Sequence, residues 1–213
     1  MNADELRAVL DDSLVTLEAA RDELRDLDAA IGDGDLGITV SAGARAIRAS
    51  LAELPPDADP ALILRTAATR FASANPSTMS ALVASGLLAA AKQLGATKVL
   101  DRQGFLLILE SATTAIQARG GAQLGDKTIL DALVPTIEVL ESAGADDRAA
   151  LGAMIEAARQ AVSDTASLQS QRGRAAWVGE RTIGHPDGGA TAYLRLLEAF
   201  ARANPEALPD EVV

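Results

Sequence analysis

Three aspartates, Asp28, Asp33 and Asp35, fall within eight residues in the stretch Asp28-Ala29-Ala30-Ile31-Gly32-Asp33-Gly34-Asp35-Leu36-Gly37. Unpaired carboxylates this close repel, and a hard divalent cation, which takes oxygen ligands, relieves the repulsion most directly. The stretch therefore reads as a Mg²⁺ site, with a solvated acidic turn between two helices as the plain alternative. Glycines at 32, 34 and 37 are expected to give the backbone positive φ and close approach to a ligand. Their spacing also fits the G-x-G-x-x-G dinucleotide fingerprint. That motif needs a preceding strand, and it would set aspartates against a pyrophosphate with no metal between them. An EF-hand is excluded too: the twelfth position counted from Asp33 or Asp35 is Ala44 or Ala46, where a bidentate glutamate is required.

Three later junctions carry groups that suit a phosphate or a nucleoside. Asn75-Pro76-Ser77-Thr78-Met79-Ser80 opens a helix, where the amides and hydroxyls of Ser77 and Thr78 can hold an anion or simply cap the helix. Gly120-Gly121-Ala122-Gln123-Leu124-Gly125-Asp126-Lys127-Thr128 resembles a P-loop with Asp126 inserted before the lysine. The preceding segment is helical in pattern, so the loop is not a Walker A, although its amides can still face a phosphate or nucleoside edge. A long loop from Gly173 to Ala190 holds the only histidine and the only tryptophan. Loops of that length in a helical domain are usually functional. In it Arg181 suits a transferring phosphoryl group, because its planar fork pairs with phosphate oxygens; the alternative is a surface ion pair. His185 lacks the neighbours of a nucleophilic triad or an imidazole metal site, and reads as a structural or nucleoside-edge contact, with Asp187 holding it or Arg181 in place.

These junctions need helices to position them. Leu6, Leu10, Leu17, Leu24 and Leu27 recur with helical spacing, which puts Asp28 on or just after the last turn of a long helix and Asp33 and Asp35 in a loop. Periodicity, with breaks at Pro55-Pro56, Asn75-Pro76, Gly95, Gly120-Gly121, Gly125 and Gly184 to Gly189, predicts eight helices. They lie at about 3–28, 38–53, 60–74, 77–95, 101–119, 128–143, 147–169 and 188–203. Aromatic residues are only 2% of the chain and helix formers dominate, so the expected fold is all-α: one domain over 1–213, an antiparallel eight-helix barrel or bundle, with a frayed tail at 204–213. A net charge of −11 argues against nucleic acid as partner. Zero cysteines exclude disulfides, zinc thiolates and cysteine nucleophiles. The first thirty residues lack an apolar leader, and the most apolar stretch, Ala81 to Ala91, is interrupted by Ser85 and Gly86 and is too short to span a bilayer. A cytoplasmic protein without a membrane partner is expected.

Taken in order, Leu27-Asp28-x-x-Ile31-Gly32-Asp33-x-Asp35, Gly125-Asp126-Lys127-Thr128 with Asp131-Ala132-Leu133, Gly173-Arg174-Ala175, and Gly179-Glu180-Arg181-Thr182-Ile183-Gly184-His185-x-Asp187 resemble the nucleotide-binding L subunit, or L domain, of dihydroxyacetone kinases. The resemblance covers nearly the whole chain. It implies a barrel of eight antiparallel helices with ADP or ATP at one end and two Mg²⁺ ions on Asp28, Asp33 and Asp35. It further implies phosphate contacts from Leu36, Gly37, Ile38, Thr39, Ser77 and Thr78, nucleoside contacts from Gly120, Thr128 and Ile129, with His185 and Asp187 nearby, and Arg181 as the catalytic cation. The family's acceptor, a small keto-sugar or polyol, sits on a separate K subunit, and no K-like region is found in this chain. A free-standing L chain resembles the type in which bound ADP is rephosphorylated by a phosphohistidine protein of the phosphotransferase system. A non-catalytic nucleotide-binding regulatory or interaction module is the other reading. Four places depart from the family pattern: Leu36 replaces a histidine, residues 75–79 replace a Gly-Gly-x-Ser-Gly turn, Ile129 replaces a methionine and Gly188 replaces a proline.

Overall fold

The computed structural model describes residues 1–204, through which nine α-helices run. The first two, α1 (Ala3–Ala19) and α2 (Arg21–Ile31), replace the single helix expected over 3–28. They break at Ala20, whose N–H tightens onto the Leu17 carbonyl at 3.1 Å before the helix restarts. No glycine or proline marks this break, so the sequence carried no signal for it. The remaining helices are α3 (Leu36–Leu51), α4 (Pro60–Ala74), α5 (Thr78–Leu94), α6 (Arg102–Gly120), α7 (Leu130–Ser142), α8 (Asp147–Thr165) and α9 (Gly188–Ala203). Consecutive helices pack on one another and α9 returns to α1. With α1 and α2 counted as one bent member, the ring has eight antiparallel members. The 166–187 connection holds an unexpected 3₁₀ segment, Arg174–Thr182, kinked at Gly179 where φ is 62°.

Helix ends follow capping chemistry. Asn2 and Glu5 form a capping box on α1; Asp59, Asp101, Asp146 and Asp187 accept N–H groups at the starts of α4, α6, α8 and α9. Gly121, at φ 63°, closes α6 with a left-handed turn and donates to the Gln117 carbonyl. The core has two lobes. Leu14, Leu24, Val40, Ile63, Phe71 and Leu94 belong to one, and Leu130, Leu133, Met154, Ile155, Leu194 and Leu197 to the other. At the far end from the glycine-rich loops, the Met1 ammonium and the Leu100 N–H exchange hydrogen bonds of 2.8 Å with each other's carbonyls. No strand occurs among the described residues beyond an isolated bridge between Asn2 and Val99, and none of their helices is long and apolar enough to cross a membrane. Of the tail expected to fray, Asn204 caps α9, and residues 205–213 lie outside the described residues.

Candidate nucleotide and metal site

In an antiparallel ring the α2–α3, α4–α5, α6–α7 and α8–α9 junctions must share one rim, and side-chain contacts tie them together there. Asp28 lies in the last turn of α2, not beyond it, and Asp33 and Asp35 lie in the short loop before α3. Carboxylate oxygens of the three lie within 4.8 Å of one another. Asp28 accepts the Leu36 N–H at 3.3 Å, which anchors it to the start of α3. Burial, and secondarily the charge of Asp28, push the Asp35 carboxyl above the ordinary carboxylate value. Such a cluster is unfavourable on its own and is improved by any cation that joins it. Arg174, from the 3₁₀ segment, does so: its guanidinium pairs with Asp33 and reaches Asp35 at 3.2 Å.

The three glycines of the turn serve different ends. Only Gly34 has positive φ, 75°. Gly32 is extended, and a Cβ there would lie 2.5 Å from an Asp28 carboxylate oxygen. Gly37 is helical, and a Cβ on it would lie 2.0 Å from the Arg21 carbonyl, so it is required where α2 crosses α3. The expectation of positive φ at all three is thus corrected at Gly32 and Gly37, where crowding against α2 excludes a side chain.

At the α4–α5 junction Ser77 is the N-cap of α5; its hydroxyl accepts the Ser80 N–H at 3.1 Å, and its own N–H donates to Ser80 Oγ. Thr78 is exposed in the first turn. Asn75 donates to Thr39 Oγ1 at 2.8 Å, which ties this turn to the start of α3, where Ile38 is exposed and Thr39 is buried. Gly120 faces Leu82 of α5: a Cβ there would stand 3.4 Å from that side chain. Thr128 and Ile129 precede α7, held by Asp131, which accepts N–H groups from Gly125 and Thr128 at 2.6 Å each. Gly188 and Gly189 bring α9 in. A Cβ at Gly188 would lie 2.6 Å from Leu36, and one at Gly189 would lie 3.5 Å from Ile129. Two departures from the family pattern, Leu36 and Gly188, therefore touch: the larger apolar side chain occupies room that the glycine leaves.

Residues 30–202 match the model of the DAK2 domain family. The chain belongs to that family. Among curated relatives, the DAK2 domain is 34% identical over 196 residues to the ADP-binding subunit DhaL of a PEP-dependent dihydroxyacetone kinase of Listeria innocua, covering 90% of each chain. It is 30% identical to the DhaL subunit of Escherichia coli, over 86% of this chain and 88% of that one. It is 36% identical over 181 residues to the L-erythrulose 1-kinase of Mycolicibacterium smegmatis, where it spans 32% of the relative's length. The native dihydroxyacetone kinase of C. freundii superposes with a TM-score of 0.74 and 26% identity, over 93% of this chain and 34% of that one. A second structure of that kinase, with AMP-PNP and Mg²⁺, has the same TM-score at 24% identity, over 92% and 33%, a likeness of fold. The relatives are kinases and kinase subunits, and the all-α ring is the fold that they share with this DAK2 domain.

Most residues singled out from the DAK2 sequence come to this rim, and two of them have surroundings that the sequence did not foreshadow. Arg181 is exposed and makes no ion pair among the described residues; the arginine that reaches the acids is Arg174, seven residues earlier. Its signal in the sequence is the Gly173-Arg174-Ala175 element. Asp187 holds neither His185 nor Arg181 by a hydrogen bond among the described residues. Its side chain accepts the Ala190 N–H at 2.7 Å as the cap of α9, and its own N–H donates to Thr165. Burial raises the Asp187 carboxyl to about 6. His185 is half-buried, and its backbone N–H donates to the Thr182 carbonyl.

Proposed function

We propose that this DAK2 domain is the ADP- or ATP-binding subunit of a kinase that transfers a phosphoryl group to a small keto-sugar or polyol carried on a separate K-type subunit. The observation that carries the reading is the meeting, on one rim, of the acidic turn with the starts of α3 and α5. The amides of Gly37 and Ile38 at the start of α3 and that of Thr78 at the start of α5 face phosphate from two helix N-termini, whose dipoles favour negative charge; the Leu36 and Thr39 N–H groups, expected to join them, are taken by the Asp28 carboxylate and the Asp35 carbonyl. Gly120, Thr128, Ile129 and the Asp187–Gly189 turn frame the nucleoside, with His185 at its edge.

Asp28, Asp33 and Asp35 fit a hard cation: every donor is an oxygen, the oxygens are close, and a guanidinium already lies against two of them. Asp28, Asp33 and Asp35 would hold Mg²⁺, as one ion or two, and the metal would supply neutralisation of the charge on the phosphate chain and the transferring phosphoryl group. Arg174, beside the acids, and exposed Arg181, on the same loop, would supply guanidinium groups to the phosphate oxygens. This chain's own work is then positioning and charge neutralisation, which is most of what phosphoryl transfer asks of a protein. The PEP-dependent DhaL relatives support a phosphohistidine protein as donor; the kinases of which this domain matches about a third support ATP. Reconstitution with a DhaL-compatible K subunit, dihydroxyacetone and either ATP or the phosphohistidine protein tests the reading. Phosphorylated ketose is expected with one donor and none with Asp33→Asn; nucleotide binding without transfer to any K subunit would favour a regulatory module instead.

A further inference from the structure

Lys127 has the largest side chain among those fully buried in the described residues, at 1% exposure, and is the one non-glycine residue among them with positive φ, 61°. A buried ammonium and a left-handed lysine are each unfavourable, so both must serve something that the fold needs. The side chain does not point toward a phosphate, as a P-loop lysine would. Its Nζ donates to the Leu168 carbonyl at 2.8 Å and to the Thr182 carbonyl at 2.6 Å.

Those two carbonyls are the two feet of one loop. Leu168 follows α8, Thr182 ends the 3₁₀ segment, and Arg174 and Trp177 lie between them. Neighbouring bonds repeat the closure: the Ser170 N–H donates to Thr182 Oγ1 at 3.0 Å, and the Gln171 N–H donates to the Asp126 carbonyl at 3.0 Å. Burial pushes the Lys127 ammonium below the ordinary lysine value, with Asp187 opposing, as expected of a cation held inside the base of a loop.

We propose that Lys127 is a positioning residue: by pinning both feet of the 168–182 loop to the 121–129 loop it holds Arg174 over the acidic turn. The nucleotide consequence rests on the function proposed above; the closure of the loop does not. Trp177, the sole tryptophan and 85% exposed, reports on the loop directly.

The test compares the full chain with Lys127→Met, Lys127→Gln and Lys127→Arg by Trp177 fluorescence anisotropy without ligand, and then by titration with ADP and Mg²⁺. In Lys127→Met, helical circular dichroism and a cooperative thermal transition are retained, Trp177 anisotropy falls, and ADP–Mg²⁺ affinity falls by about tenfold or more. Lys127→Gln, which can still donate to one carbonyl, is intermediate, and Lys127→Arg recovers much of both signals. A folded Lys127→Met with wild-type anisotropy overturns the proposal. So does loss of folding in both Lys127→Met and Lys127→Gln, which would make the lysine a core-folding residue. If the wild type binds no nucleotide, the proposed function fails while the anisotropy series still decides the role of Lys127.

Discussion

At the acidic turn three carboxylates have oxygens within 4.8 Å of one another, and Arg174 is the one cation paired into them among the described residues. Across the same rim the Lys127 ammonium is buried, and two carbonyls accept from it. The first region leaves charge in excess where solvent and a ligand can reach it; the second pairs a single buried charge with two carbonyls and uses it to close a loop. Unmet charge marks the surface that a ligand must complete, and met charge marks the frame that holds that surface.

The difference can be broken first at Gly37, which belongs to the frame although it lies in the acidic motif. Gly37→Ala places a methyl against the Arg21 carbonyl, so α2 must move off α3. The expected loss is about 2–4 kcal/mol of stability in denaturant unfolding, with metal present or absent. A loss seen only with metal and nucleotide present would return Gly37 to a purely ligand-facing role.

Asp187 sharpens the comparison, because it is an acid inside the frame. Its carboxyl lies near 6 when folded and near the ordinary carboxylate value when unfolded. The folded state therefore holds the proton to higher pH, and the stability that this contributes, full below about pH 4, is lost as pH rises to about 6. Asp187→Asn still caps α9 but cannot ionise. The difference between variant and wild type in unfolding free energy should move in the variant's favour by up to about 3 kcal/mol from pH 4 to pH 7. A difference that does not change with pH would show that the Asp187 carboxyl is solvated.

Asp35 gives the smallest effect, opposite in sign to that at Gly37. Asp35→Asn removes a carboxylate that burial and Asp28 disfavour. Without metal the variant should be as stable as the wild type or more stable by less than about 1 kcal/mol, the exposed pair with Arg174 being worth little. Clear destabilisation of the metal-free protein would make the acids structural.

Local features were legible in the sequence. The acidic turn, the cap at Ser77 and the Gly120-Gly121 helix end are written within a few adjacent residues, and the eight-member ring followed from the spacing of such breaks. The α1–α2 break was not legible, since alanine at position 20 carries no stop signal. Nor was the choice between arginines. Arg174 and Arg181 stand on one loop, and which of them meets Asp33 depends on the fold of that loop and on Lys127 bonding to carbonyls 41 and 55 positions away. Pairings across that separation are fixed by packing. In the same way Leu36 and Gly188, read from the sequence as separate departures, are neighbours in space.

The central claim is that the acidic turn and the helix starts beside it form one metal-dependent nucleotide site. Thermal unfolding of the nucleotide-free protein with Mg²⁺, with ADP and with both, repeated on Asp33→Asn, tests it most directly. A rise in Tm that needs Mg²⁺ and ADP together and disappears in Asp33→Asn is the predicted result. No rise in any combination, or an equal rise in Asp33→Asn, would contradict it.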